Sequence, residues 1–153
     1  MHYLITFVIW LLPWNSANCS CEPPEVNKAF ERSDLVLSGK IIDREVFSKE
    51  VTEPIDDMTH EVAEFPGVDG FLFKPIEVFK GRPGSTELWV LTSQMPCGPS
   101  LKVGSTYIVY IHEGNLINST SSDRASKLWT GFCSGTKLLS SSKGKLDLKL
   151  LRN

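Results

Sequence analysis

The sequence predicts a mainly β fold: a small closed barrel of five strands, flanked by one or two short helices, with an N-terminus tied down by disulfides. Three observations predict it. Five short apolar runs recur along the chain with turn residues between them, the pattern of an all-β sandwich or barrel. Four cysteines, Cys19, Cys21, Cys97 and Cys133, form an even set that reaches from near the start of the chain to near its end. The 153 residues are the length of one domain, so a single core must take all five runs.

The elements follow in order. Glu25–Asp34 (EVNKAFERSD) comes after two prolines and sets Val26 and Phe30 one turn apart, which predicts a short helix. Asp34–Asp43 (DLVLSGKIID) alternates Leu35, Leu37, Gly39 and Ile41 on one side, a first strand. Arg44–Gly70 is acidic, contains Pro54 and Pro66, and has no clear period; it reads as a long excursion in the form of a projecting hairpin. Phe71–Gly81 (FLFKPIEVFKG) is a second strand, in which Pro75 removes a ladder donor and so predicts an edge or a bulge. Arg82–Ser85 (RPGS) is a turn, Thr86–Thr92 (TELWVLT) a third strand, and Cys97–Gly104 (CGPSLKVG) a loop. Ser105–Glu113 (STYIVYIHE) is a fourth strand, followed by a Gly114-Asn115 turn and a polar loop, and Lys127–Cys133 (KLWTGFC) is a fifth. The tail fits two readings: Leu146, Leu148 and Leu150 alternate as in a strand, whereas Ser142 and the Leu, Lys and Asp content suit a capped helix. With cysteines fastening both ends to five such strands, the oligonucleotide/oligosaccharide-binding type of barrel is the architecture that fits.

Ahead of these elements, Tyr3–Trp14 (YLITFVIWLLPW) is apolar apart from Thr6 and carries no charge. A bilayer span needs about 20 apolar residues, but the hydrophobic region of a secretory signal needs only ~7–15. Small residues, Ser16 and Ala17, then lead to Cys19. Pro13 and the lack of a polar face argue against a core helix. The reading is a signal peptide over residues 1–18, a single domain over 19–153, and a secreted, extracellular protein without a membrane span. A net charge of −2 gives no basic footprint for nucleic acid or anionic membrane. The aromatic residues lie inside strand-like runs, not among basic clusters, so a stacking platform for single strands is unsupported.

In an oxidising compartment four cysteines read as two disulfides. A four-thiolate zinc site would put two to four residues between paired cysteines, and only Ser20 separates Cys19 from Cys21. A Cys19–Cys21 bridge would close a badly strained small ring, so one of these two reaches Cys97 and the other Cys133. Bridges closing such long loops contribute about 4–5 kcal/mol each in the chain-entropy model.

An enzyme is not indicated. His2 leaves with the signal, His60 lies in the acidic excursion and His112 ends a strand. No cysteine is left as a nucleophile if both bridges form, and neither remaining histidine accompanies a recognisable nucleophile elbow. Asp56-Asp57 is a solvated loop pair. No resident cofactor is implied. Asn118 heads an Asn-Ser-Thr sequon in a predicted loop, an acceptor for glycan in a eukaryotic secretory pathway.

The order of CSCEPP at the mature start, AFERSDLVLSGKI, FKG, CGPSLKVGSTYIVY and LWTGFC resembles the N-terminal, netrin-like domain of the tissue inhibitors of metalloproteinases. The resemblance covers nearly all of residues 19–153 and is most specific at CSCEPP and AFERSDLV. It implies a five-stranded barrel with flanking helices, bridges Cys19–Cys97 and Cys21–Cys133, and a single-domain monomer acting on an extracellular zinc metalloproteinase. In that family the α-amino group and carbonyl oxygen of the first cysteine take the open position of the target's zinc, here assigned to Cys19. Ser20 then enters the primary specificity pocket. Cys21, Glu22 and Pro23 continue the ridge, with Met95, Pro96 and Cys97 alongside, and zinc is present only in the complex. The chain departs from the vertebrate pattern at Glu31, which stands where a third bridge would begin. Two other functions compete with inhibition: a non-inhibitory extracellular binding module, in which Cys-x-Cys only staples the terminus, and a lipoprotein acylated at Cys19.

Overall fold

The computed structural model describes residues 22, 24–48, 51–54, 62–65, 67–94, 99–114 and 128–153. Its elements in order are α1 (Val26–Arg32), β1 (Leu35–Ser48), β2 (Val51–Pro54), β3 (Val62–Phe65), β4 (Val68–Lys80), β5 (Leu88–Ser93), β6 (Thr106–Glu113), β7 (Leu128–Trp129), β8 (Lys137–Leu138) and α2 (Ser142–Leu151), with one 3-10 turn at Phe132–Ser134.

β1 pairs antiparallel with β4, and β4 with β5. β7 then lies between β5 and β6, parallel to the former and antiparallel to the latter. β6 returns to β1 along Leu35–Lys40. The order β1-β4-β5-β7-β6 therefore closes on itself, a five-stranded barrel of the oligonucleotide/oligosaccharide-binding kind. β8 adds a sixth strand beside β6, and β2 and β3 form a separate two-stranded sheet.

Alternation decides which side chains fill the barrel. Leu35, Leu37 and Ile41 of β1, Phe71 and Phe73 of β4, Leu88 and Val90 of β5, and Tyr107, Val109 and Ile111 of β6 form the interior. The opposite face of β6 is buried as well: Ile108 and Tyr110, with Val36 and Ala29, form a second core over which α1 and α2 lie. Two-sided burial explains why STYIVYIHE reads as a nearly unbroken apolar run. Burying each large side chain contributes roughly 1.5–3 kcal/mol.

The predicted helix after the prolines is α1. Its last turn is closed by Ser33 Oγ, which donates to Ala29 O at 2.8 Å, and by Lys80 Nζ, which donates to Phe30 O (2.8 Å) and Glu31 O (3.0 Å) and sits over the Phe30 ring. A cation at a helix C-terminus is well placed against the dipole. Gly81 follows at φ 76° with Asp34 O only 2.6 Å from where a Cβ would stand, so the Phe79-Lys80-Gly81 run is a clamp between β4 and α1.

The acidic excursion carries a hairpin, β2–β3, as predicted, but β1 runs on to Ser48 and β4 starts at Val68, so its two ends belong to the barrel strands. Pro75 sits at a bulge: Ser38 pairs with Glu77 and Gly39 with Pro75, one residue out of step. β5 pairs with β4 only as far as Phe73, so beyond that point β4 has one neighbour and the missing donor costs nothing in the ladder.

Two expectations are corrected or decided. Among the described residues the fifth strand is Leu128–Trp129 and does not run on to Cys133, because after Thr130 N donates to Leu91 O at 2.9 Å the chain turns and Phe132–Ser134 winds into the 3-10 turn. The tail is a helix, capped by Ser141, whose Oγ accepts from Gly144 N at 3.0 Å. Among the described residues no helix is long and apolar enough to cross a membrane.

Candidate functional site

Of the residues assigned to an inhibitory ridge and its bridges, Glu22 and Cys133 are described: Glu22 is exposed, and Cys133 is exposed and disulfide-bonded. Cys19, Ser20, Cys21, Pro23, Met95, Pro96 and Cys97 lie outside the described residues, as does Asn118.

The topology nevertheless orders the surroundings. β5 and β7 are parallel neighbours, with Leu91 opposite Trp129, so both leave the barrel in the same direction. The chain after β5 leads within four residues of Ser93 to Cys97, and the chain after β7 leads within four residues of Trp129 to Cys133. Pro24, the residue that follows the ridge motif, packs near Gly135: its Cγ lies 3.5 Å from where a Gly135 Cβ would stand, beside Ala29 and Tyr110. Gly135 itself is at φ 94°, a conformation that favours glycine.

The turn carrying Cys133 is held by hydroxyls. Thr130 Oγ1 donates to Tyr110 O at 3.0 Å and lies 3.0 Å from Ser134 Oγ and 2.6 Å from Thr136 Oγ1. Thr136 Oγ1 also accepts from Tyr110 N at 3.2 Å. Thr130 and Ser134 are both buried, so the cluster satisfies polar groups that would otherwise be costly and fixes Cys133 relative to β6.

At this end the barrel also has an open mouth, a groove of about 440 Å³. Inward-facing positions change here from apolar to polar: Asp69 precedes Phe71 and Phe73 on β4, and Thr92 follows Leu88 and Val90 on β5, with Asp69 and Thr92 directly paired. Arg44, opposite Phe71, donates from Nη2 to Asp69 Oδ2 at 2.8 Å and stands 5.7 Å from the Phe71 ring centre. Gln94 Nε2 donates to Asp69 Oδ1 at 2.9 Å, while Gln94 N donates to Gly67 O at 2.8 Å. The facing wall, Pro99 to Leu101, is held by Tyr107, whose hydroxyl accepts from Lys102 N (3.0 Å) and donates to Ser100 O (3.2 Å). The sequence reading missed this mouth, which fell partly in the excursion. Its signal was a polar residue at the inward end of each of two strands.

Compared with known proteins, the chain matches no family model, and no curated protein matches it.

Proposed function

We propose that the chain is a secreted inhibitor of zinc metalloendopeptidases that acts through the amino terminus left at Cys19. The observation that supports this reading is the parallel β5–β7 pair, which sends the segments leading to Cys97 and Cys133 out of one end of a closed barrel. Two cysteines one residue apart, bonded to those two segments, stretch the residues between and beside them across that end. A short, doubly anchored ridge headed by a free amine is the product.

The chemistry follows from the residue types. A catalytic zinc keeps one coordination position for water. The α-amino nitrogen and carbonyl oxygen of Cys19 occupy it and displace the nucleophile. An amine ligates only when unprotonated, and a reference pKa of about 7.7–8.0 leaves a useful neutral fraction near pH 7. Ser20 enters the pocket beyond the zinc, and Cys21, Glu22 and Pro23 run along the cleft with Met95, Pro96 and Cys97 beside them. Anchoring by the Cys19–Cys97 and Cys21–Cys133 bridges before binding removes most of the ordering entropy that association would otherwise cost.

The test is inhibition of a panel of zinc endopeptidases by purified protein whose N-terminus has been sequenced as Cys19. Protein carrying one extra alanine ahead of Cys19 should inhibit at least about a hundredfold less well, the loss of nearly 3 kcal/mol of ligation. Equal inhibition by both forms, or none by the first, overturns the reading.

A further inference from the structure

We propose that the mouth of the barrel is a binding pocket for a primary carboxamide, the side chain of an asparagine or glutamine presented by another polypeptide. The proposal uses none of the amino-terminal ridge residues and stands or falls apart from the inhibitor reading.

The starting point is Thr92. It is 4% exposed, it lines the groove, and its hydroxyl has no hydrogen-bond partner among the described residues. A buried hydroxyl left unpaired is unfavourable, and each such group calls for an explanation. Valine would fill the same volume at this strand position with no polar atom to satisfy. The oxygen is covered as the side chain stands, so a turn about the Thr92 Cα–Cβ bond brings it to the groove, and keeping a hydroxyl where the barrel opens is accounted for if something entering the mouth then completes its bonding.

The neighbouring groups define what that is. Arg44 and Asp69 neutralise each other across 2.8 Å, so the pocket offers no net charge. Arg44 spends Nη2 on Asp69, and its side chain is about half exposed, which leaves further N–H donors for a ligand. Gln94 spends its Nε2 on Asp69, which leaves its Oε1 as an acceptor at the rim. Donors and an acceptor are thus set around a floor made by Phe71. A carboxylate would meet Asp69 and leave Oε1 of Gln94 without a donor. An ammonium would meet Arg44 and offer the guanidinium nothing to bind. A single hydroxyl has one proton to give, enough for Gln94 but not for a remaining lone pair of Asp69 as well. A primary carboxamide has an oxygen with two lone pairs, for Thr92 and Arg44, and two N–H groups, one for Gln94 and one for a remaining lone pair of Asp69. It alone among these groups matches the whole set without an uncompensated charge.

The experiment is a titration of ¹⁵N-labelled protein with N-acetyl-glutamine methylamide, followed through backbone and side-chain amide shifts. Saturable shifts are expected at Arg44, Asp69, Thr92 and Gln94. N-acetyl-norleucine methylamide and N-acetyl-glutamate methylamide should produce clearly weaker binding. Thr92→Val should weaken the glutamine probe about fivefold or more, the scale of one neutral hydrogen bond, while its thermal midpoint stays level or rises. Gln94→Ala, at an exposed rim position, gives a second variant with the same expected loss. Shifts that are absent at the solubility limit, or equal for norleucine, overturn the proposal, as does unchanged binding by Thr92→Val. Tighter binding of the glutamate probe overturns the carboxamide assignment in favour of an anion pocket.

Discussion

Gly70 lies under the ring of Phe47. A Cβ added there would stand 2.1 Å from Phe47 Cε2 and 2.5 Å from Cδ2, and the same ring makes an edge contact with Trp89 at 5.5 Å between centroids and 63° between planes. The glycine is therefore a matter of close approach, and the substitution has a sign that depends on its neighbour. Gly70→Ala in the wild-type chain pushes Phe47 off the sheet and should cost about 1–3 kcal/mol, the range for overpacking. In a Phe47→Ala background the clash is gone, and the same change should be neutral or mildly stabilising because alanine restricts the unfolded chain. Urea denaturation of the four proteins of this cycle measures the coupling; additive costs would show that the ring is not what the glycine accommodates. The sequence displays Gly70 only as one more residue of an aperiodic stretch, since nothing local says that a phenylalanine 23 positions earlier will lie across it.

The helix α2 shows at the level of an element why periodicity left two readings open. Its buried positions are Gly144 and Asp147, with Leu148 and Leu151 packed on the second core, a spacing of three, one and three that belongs to a helix. Two of these four are not apolar, and the apolar residues that catch the eye, Leu146 and Leu150, are half exposed or more. Of the three leucines that alternate as in a strand, Leu148 alone packs on the core, so the alternation does not mark the buried face. Asp147 is buried because β8 and β6 supply its partners: Lys137 Nζ donates to Oδ2 at 2.6 Å and the Tyr110 hydroxyl donates to the same oxygen at 3.3 Å. Removing the carboxylate in Asp147→Ala leaves Lys137 largely buried without a counter-ion and should cost about 3–5 kcal/mol. Tyr110→Phe removes one hydrogen bond and should cost only about 1 kcal/mol. Burial first, and then the adjacent Asp147 carboxylate, hold the Tyr110 hydroxyl well above its ordinary pKa of 10.0. Its contribution is therefore fully present below pH 10, the unfolded value. It is lost as pH climbs from there toward the folded value, because only the unfolded chain ionises easily. The slope this adds approaches about 1.4 kcal/mol per pH unit. Stability measured in denaturant from neutral to alkaline pH should fall more steeply above pH 10 in the wild type than in Tyr110→Phe; superimposable profiles would remove Tyr110 from the account.

For the molecule as a whole, most of the barrel was readable, since four of its five strands alternate or run apolar over long stretches, while the fifth is two residues long and exists only because β5 and β6 are there to receive it. The site was readable in a different sense. Cysteine spacing and the CSCEPP motif point to an anchored terminus, but the fact that two cysteine segments leave from one barrel end is a property of strand order, which spacing does not contain. That geometry, together with the pairing that the family resemblance implies, yields the final prediction. The interior of the barrel and the core beneath the helices are each built from described residues that include no cysteine, and the Cys133 turn carries its own hydroxyl brace. Peptide mapping of the oxidised protein should return Cys21 joined to Cys133 and Cys19 to Cys97. Replacing Cys21 and Cys133 together with serine should then lower stability by about 2–5 kcal/mol, leaving a barrel with native-like β-sheet circular dichroism. Inhibition should fall by a larger factor than the residual folded fraction accounts for, since the terminus must now be ordered at the moment of binding. If the folded double variant inhibits as well as the wild type, the bridge only fastens the chain to the barrel, and the ridge owes its shape to something else.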